Sequence, residues 1–217
     1  MNISAMFWDM LAKNFDEQSE GYKQVHIKTV ENAKKYLNAG DLVLDYGCAT
    51  GTTAIEIADH VKEIHGIDIS SKMIDAARRK VAERKIQNID FAQATIFDKR
   101  STKESFDVVL ALGILHLLKD PPKAIQRIYE LLKPGGWFVS LTACMGEDKT
   151  IPTVINTILF IPSRIGIFPI LRFLEVSKLE QSIIRGKFQI VETETLYFDP
   201  THDLPYIVAR FIAARKV

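Results

Sequence analysis

The chain has 217 residues, 47% of them hydrophobic, with 28 basic against 27 acidic side chains and a formal net charge of +1. That length and apolar content suffice for one domain with a full core, while the balanced charge excludes the clustered basic surplus of a nucleic-acid binder. Two cysteines are too few for a disulfide framework, and Asp9, Lys13, Asp16 and Glu17 interrupt any apolar core that a leader peptide needs.

Two helices, at 6–15 and 25–37, precede an alternation of short apolar runs with amphipathic stretches, the pattern of a parallel sheet covered on both faces. The first strand, 42–46, carries Asp45 and runs into Gly47-Cys48-Ala49-Thr50-Gly51. A helix over 52–61 follows, with Ala54, Ile55, Ala58 and Val61 at helical spacing. The next strand, 64–69, contains Asp68. It leads to a helix over 71–85 whose inward face is Met73, Ile74, Ala77 and Val81, so the basic run Arg78-Arg79-Lys80 with Arg84-Lys85 reads as a solvated face. Strands at 89–93, 106–112 and 137–142 continue the alternation, with a helix over 122–132 stopped by Pro134-Gly135. In this order Cys48 and Cys144 follow strands separated by another, about 9–10 Å apart, so both thiols are expected free, which suits a reducing cytoplasm. The tail departs from the pattern. Its runs 189–197 and 205–215 are joined by Asp199-Pro200-Thr201-His202-Asp203, too short for a parallel crossover, so they pair antiparallel. The expected organisation is one domain, with N-terminal helices over 1–38, a core over 39–143, a helical insert over 144–188 and antiparallel strands over 189–217.

The strand–turn–helix around Gly47 places backbone N–H groups where a small polar ligand can approach the main chain. Asp68 lies about 20 residues past Gly47, where nucleotide-binding α/β folds put a carboxylate on ribose hydroxyls. A dinucleotide fingerprint needs glycine where Ala49 and Thr52 stand, and a phosphate-cradling loop needs a lysine after Gly51, where Thr52 and Thr53 follow. An adenosyl group without phosphate, S-adenosylmethionine, meets both exclusions. The run Asp45-Tyr46-Gly47-Cys48-Ala49-Thr50-Gly51, with Phe106-Asp107-Val108-Val109-Leu110-Ala111-Leu112 and Leu131-Leu132-Lys133-Pro134-Gly135-Gly136-Trp137 in this order, resembles the class I S-adenosylmethionine-dependent methyltransferases over about residues 39–142.

The resemblance implies a doubly wound, Rossmann-like, seven-stranded and mostly parallel α/β sheet whose last strand is reversed and lies at its edge. It implies cofactor contacts as well: Asp45 near the methionine ammonium, and Gly47, Cys48, Ala49 and Gly51 turning the backbone toward the ligand. Asp68 takes the ribose, Ile69 and Met73 lie along the adenosine, and Leu112 and Ile114 neighbour the cofactor. Thr95, flanked by Ala94 and Ile96, stands where the family usually has an adenine-binding Asp; its hydroxyl can accept the same hydrogen bond. Ala49 replaces the usual middle glycine and is expected in a right-handed or extended conformation, since a left-handed one costs about 1–2 kcal/mol. His116, after the fourth strand, is the candidate for proton transfer near neutrality, with a structural role as the alternative. Phe15 and Tyr22 are candidate aromatic lids. His26, His60, His65 and His202 show no metal-ligand spacing, and no metal is expected.

Residues 151–176 are strongly apolar, but Pro152, Pro162 and Pro169 break the run and Arg164 and Arg172 charge it, so a membrane span of about 20 uninterrupted residues is excluded. Helices packed over the sheet edge and a cap over the substrate pocket are both open for this insert. The expected function is cytoplasmic methyl transfer to a small, partly apolar molecule. Its rivals are a catalytically silent binding domain of the same fold and a membrane-surface enzyme acting on a quinone or lipid precursor. No nucleic-acid partner is expected, and no residue specifies the acceptor atom or the oligomeric state.

Overall fold

Strands that are apolar on both sides must be covered on both sides, and the helices are distributed accordingly. The computed structural model describes residues 3–99, 102–145, 174–197 and 207–217. The strands β1 (Leu42–Tyr46), β2 (Glu63–Asp68), β3 (Ile89–Gln93), β4 (Phe106–Leu112) and β5 (Leu132–Met145) are parallel and lie side by side as β3-β2-β1-β4-β5. A short β6 (Leu174–Glu175) pairs with the end of β5. The tail supplies β7 (Phe188–Tyr197) and β8 (Ile207–Lys216), with β8 antiparallel to both β5 and β7.

The mostly parallel sheet is thus as expected, but its reversed strand is not at the edge. β8 is inserted between β5 and β7, and β7 forms the edge. Residue chemistry explains the order. Val208, Ala209, Phe211, Ile212, Ala213 and Ala214 are all buried, the run of a strand covered on both faces, whereas β7 exposes Gln189, Val191 and Thr193 in alternation.

The helices are α1 (Ile3–Leu11), α2 (Phe15–Gln18), α3 (Lys23–Lys34), α4 (Thr52–Ile57), α5 (Ser71–Glu83), α6 (Pro121–Leu131) and α7 (Val176–Arg185). Ile125, Ile128 and Leu131 of α6 and Leu179 and Ile183 of α7 pack with Leu44, Phe138 and Ile212 on one face of the sheet. Val30 and Ala33 of α3, Ile57 of α4 and Ile74 and Ala77 of α5 pack with Val43, Val108, Leu110 and Phe211 in a second cluster. The helix expected over 6–15 is broken into α1, a 3₁₀ turn at Ala12–Asn14 and α2, and α1 contributes no buried residue. The helix expected over 52–61 ends at Ile57 and finishes as a 3₁₀ turn, Ala58–His60.

Strand β5 starts at Leu132, earlier than the apolar run suggests, because Leu132 already pairs with Phe106 before the register slips. In that slip Gly135 sits at φ +74°, and a Cβ on Gly136 would come within 2.8 Å of the Asp107 carbonyl oxygen. The Lys133 ammonium lies 2.7 Å from the Asp107 carboxylate, which also accepts the Leu42 N–H at 2.9 Å. The Leu-Lys-Pro-Gly-Gly run therefore ties the starts of β1, β4 and β5 together, far from their carboxyl ends. Cys48 and Cys144 are free and buried. Among the described residues no helix is long and apolar enough to cross a membrane. Of the insert expected over 151–176, residues 151–173 lie outside the described residues, as does the turn at 199–203.

Candidate active site

β1 has β2 on one side and β4 on the other, so the chain's crossovers diverge there and leave a crevice at the carboxyl ends of these strands. A cavity of about 780 Å³ occupies that crevice. Its floor is the loop from β1 to α4, in which Gly47, Ala49 and Gly51 have φ of +77°, +47° and +78°. Ala49 is therefore left-handed, against expectation. In this turn its N–H donates to Asp68 Oδ2 at 3.2 Å, a bond that offsets the methyl's cost of about 1–2 kcal/mol. The N–H groups of Gly47 and Cys48 both donate to the Ile67 carbonyl, at 2.8 and 3.1 Å. Phe91 explains why glycine is required beside the loop: a Cβ on Gly51 would lie 2.6 Å from its ring, and one on Gly66 2.4 Å.

Asp45 is 2% exposed, and its Oδ2 has no hydrogen-bond partner among the described residues. Burial, and secondly the charge of Asp68, raise its carboxyl to about 7. Asp68 is also pushed up by burial, although it accepts the N–H groups of Ser70 at 2.8 Å and Ala49 at 3.2 Å. Helix α5 is capped by Ser70, whose Oγ accepts the Met73 N–H at 3.1 Å, so Asp68 is not spent as the cap. A buried carboxylate without a partner and a half-buried one facing the same cavity form a wall suited to a cationic ligand.

Asp45, Gly47, Cys48, Ala49, Asp68, Ile69, Met73, Leu112 and Ile114 all line this cavity. Gly51, at the end of the loop, does not line the cavity. Ala94, Thr95 and Ile96 do not line the cavity: Thr95 is exposed and its hydroxyl accepts the Phe97 N–H at 3.3 Å, while Ile96 is fully buried. His116 is not on the wall either, although its neighbour Leu117 is. Its Nδ1 is buried without a partner among the described residues, and desolvation lowers the imidazole to about 4, leaving it neutral at physiological pH.

The far wall comes from the N-terminal segment, through Trp8, Phe15, Asp16 and Tyr22. Phe15 and Tyr22 were legible as candidate lids; Trp8 and Asp16 were not. The basic run on α5 is only partly a solvated face. Arg79 is exposed, as are Arg84 and Lys85 just beyond the helix, but Arg84 borders the cavity, and Lys80 pairs with Asp16 at 2.6 Å and donates to Thr50 at 2.9 Å. The available signal was the position of Lys80, three residues after Ala77 and seven after Met73, beside the inward face of α5.

A family described as a methyltransferase domain matches residues 37–158, more than half of the chain. The chain belongs to the class I S-adenosylmethionine-dependent methyltransferases. The family's cofactor is S-adenosylmethionine, and the unpartnered Asp45 carboxylate is the kind of group that its ammonium requires. The uncharacterized methyltransferase YcgJ of Bacillus subtilis is 28% identical over 130 residues, covering 60% of this chain and 49% of that protein. Its solved structure superposes with a TM-score of 0.72 at 20% identity, over 88% of this chain and 99% of that one. A ubiquinone biosynthesis O-methyltransferase of Albidiferax ferrireducens is 32% identical over 100 residues, 46% of this chain and 40% of that protein. The chain thus spans about half the length of the curated relatives it matches. The [4+2]-cyclase SpnF has the same fold, with a TM-score of 0.73 and 21% identity over 87% of this chain and 80% of that one.

Proposed function

We propose that the protein is an enzyme that transfers the methyl group of S-adenosylmethionine to a small, partly apolar acceptor held in the same cavity. The observation that carries this reading is the buried, unpartnered Asp45 carboxylate facing a cavity that Asp68 also lines. Asp45 takes the methionine ammonium, the left-handed loop brings its backbone against the methionine end, and Asp68 takes the ribose hydroxyls. Ile69, Met73 and Leu112 offer apolar contact along the adenosine. Thr95, turned to its own loop, contributes nothing to adenine, so Ile69 and Met73 carry that end.

When bound, the cofactor supplies a methyl group already activated on a sulfonium. The chain's own task is alignment: holding the reacting atoms in line at about 3–3.5 Å is worth about 7–11 kcal/mol. Trp8, Phe15, Tyr22, Leu117 and Leu118 make an aromatic and aliphatic wall for the acceptor, in keeping with a relative named for ubiquinone biosynthesis. His116, expected as the proton-transfer group, lies off the cavity wall with its imidazole lowered to about 4 by burial, so no role as a base falls to it.

Calorimetric titration with S-adenosylhomocysteine tests the donor site. Binding is expected, Asp68→Ala is expected to lose most of it, and an absence of binding at millimolar ligand rejects the reading. A likeness to a cyclase makes turnover a separate question. Transfer of labelled methyl to a component of a metabolite extract supports catalysis, and binding without transfer to any acceptor favours a silent binding domain.

A further inference from the structure

The N-terminal segment, residues 3–22, closes the cavity without joining the core. No residue of α1 is buried, and Ile3, Met6 and Met10 are 60%, 49% and 69% exposed. Ring contacts of Trp8 with Phe7 and Phe15, at 5.2 and 6.5 Å between centroids, hold the segment together as a unit. Two of its carboxylates are bonded to the domain. Asp9 accepts the Ser70 hydroxyl at 2.6 Å and the Lys72 N–H at 3.1 Å. Asp16 accepts the Thr50 hydroxyl at 2.6 Å and pairs with Lys80 at 2.6 Å, while Lys80 also donates to Thr50 and Thr52 at 2.9 and 3.2 Å.

These attachments land on the two loops that face the ligand. Thr50 sits between Ala49 and Gly51, and Ser70 donates its N–H to Asp68. We propose that Asp16 and Lys80 are positioning residues that latch the N-terminal segment over the cofactor cleft, so that the cofactor enters and leaves when this latch opens. The proposal rests on the donor-site reading for its ligand, but not for the latch itself. Side-chain exposures of 24% for Lys80 and 51% for Asp16 mark a pair that contributes little alone. Such a contact can release and reclose on the time scale of segment motion, and occupancy of the cleft biases it toward closure only through the walls the segment supplies.

The test compares Lys80→Met, Asp16→Asn and Lys80→Arg with the wild-type protein. Both latch-breaking variants should raise amide exchange in residues 3–22 of the ligand-free protein while exchange in the sheet stays unchanged. They should also speed S-adenosylhomocysteine dissociation, followed by Trp8 emission in a Trp137→Phe background, by about threefold to tenfold. The Kd for S-adenosylhomocysteine should rise with the dissociation rate, and Lys80→Arg should restore both the exchange and the dissociation rate. Unchanged exchange in residues 3–22 overturns the latch whether or not the ligand binds. Raised exchange with unchanged ligand dissociation overturns its gating of the cofactor. Raised exchange with no binding to the wild-type protein rejects the donor-site reading and leaves the latch standing.

Discussion

At Asp45 a single carboxyl links folding, pH and ligand. It ionises near 3.8 in an unfolded chain and near 7 in the folded site. The folded protein therefore holds this proton more tightly, and the resulting stabilisation is complete below pH 4 and lost as pH rises through 7. Asn mimics the protonated form, so Asp45→Asn should match the wild-type protein at pH 4 and exceed it increasingly toward pH 8, read from urea unfolding of the ligand-free protein. A pH-independent difference would contradict this. On the proposed donor site, ligand affinity runs the other way, because the ammonium would pair with the ionised carboxylate. S-adenosylhomocysteine should bind about tenfold tighter per pH unit up to 7, with proton release detectable by calorimetry in buffers of different ionisation enthalpy. Ala49 illustrates the limit of local preference. The methyl's intrinsic cost argued for a right-handed turn, yet the turn is left-handed and a bond to Asp68, 19 positions away, offsets that cost. Ala49→Gly should raise the thermal midpoint by a few degrees, the net of about 1–2 kcal/mol of strain relieved and about 0.5–1 kcal/mol of added chain entropy.

Among the elements, strands were legible and helix ends less so. Strand β2 follows its sequence pattern closely, but the reason for its glycine appears only in the packing: Phe91 of β3 presses against Gly66 and, across the loop, against Gly51. Gly66→Ala should therefore destabilise the protein by about 1–3 kcal/mol through overpacking and also weaken ligand binding, since Phe91 would be displaced toward the loop. Chemical denaturation alongside calorimetry reads both, and an unaffected midpoint would show that the ring yields freely. On α5 the amphipathic pattern correctly turned Met73, Ile74, Ala77 and Val81 inward. The same pattern sets Lys80 one turn from Ala77 and two from Met73, beside the inward face, and Arg79 away from it, but only the docking of a distant segment gives Lys80 its partner.

For the whole molecule, burial predicts which ends of the described fold are dispensable. Deleting residues 207–217 removes an interior strand that pairs on both sides and buries Phe211 and Ile212, so the cooperative unfolding transition should disappear. Deleting residues 1–22 removes no buried residue of α1 and should leave that transition in place while opening the cleft. Calorimetric scans of the two truncations separate these outcomes. By itself the sequence determined the alternating strand–helix architecture and the run of backbone around Gly47. It also determined that Asp45 and Asp68 close neighbouring strands at one cleft, because periodicity, turn chemistry and motif spacing are short-range properties of the chain. Only the tertiary structure decided that the last strand inserts inside the sheet, that Ala49 is left-handed, that Thr95 turns to its own loop and that Lys80 holds the N-terminal segment. Each of these depends on which distant groups meet, and burial against partners far along the chain outweighs the small local preferences from which a sequence is read.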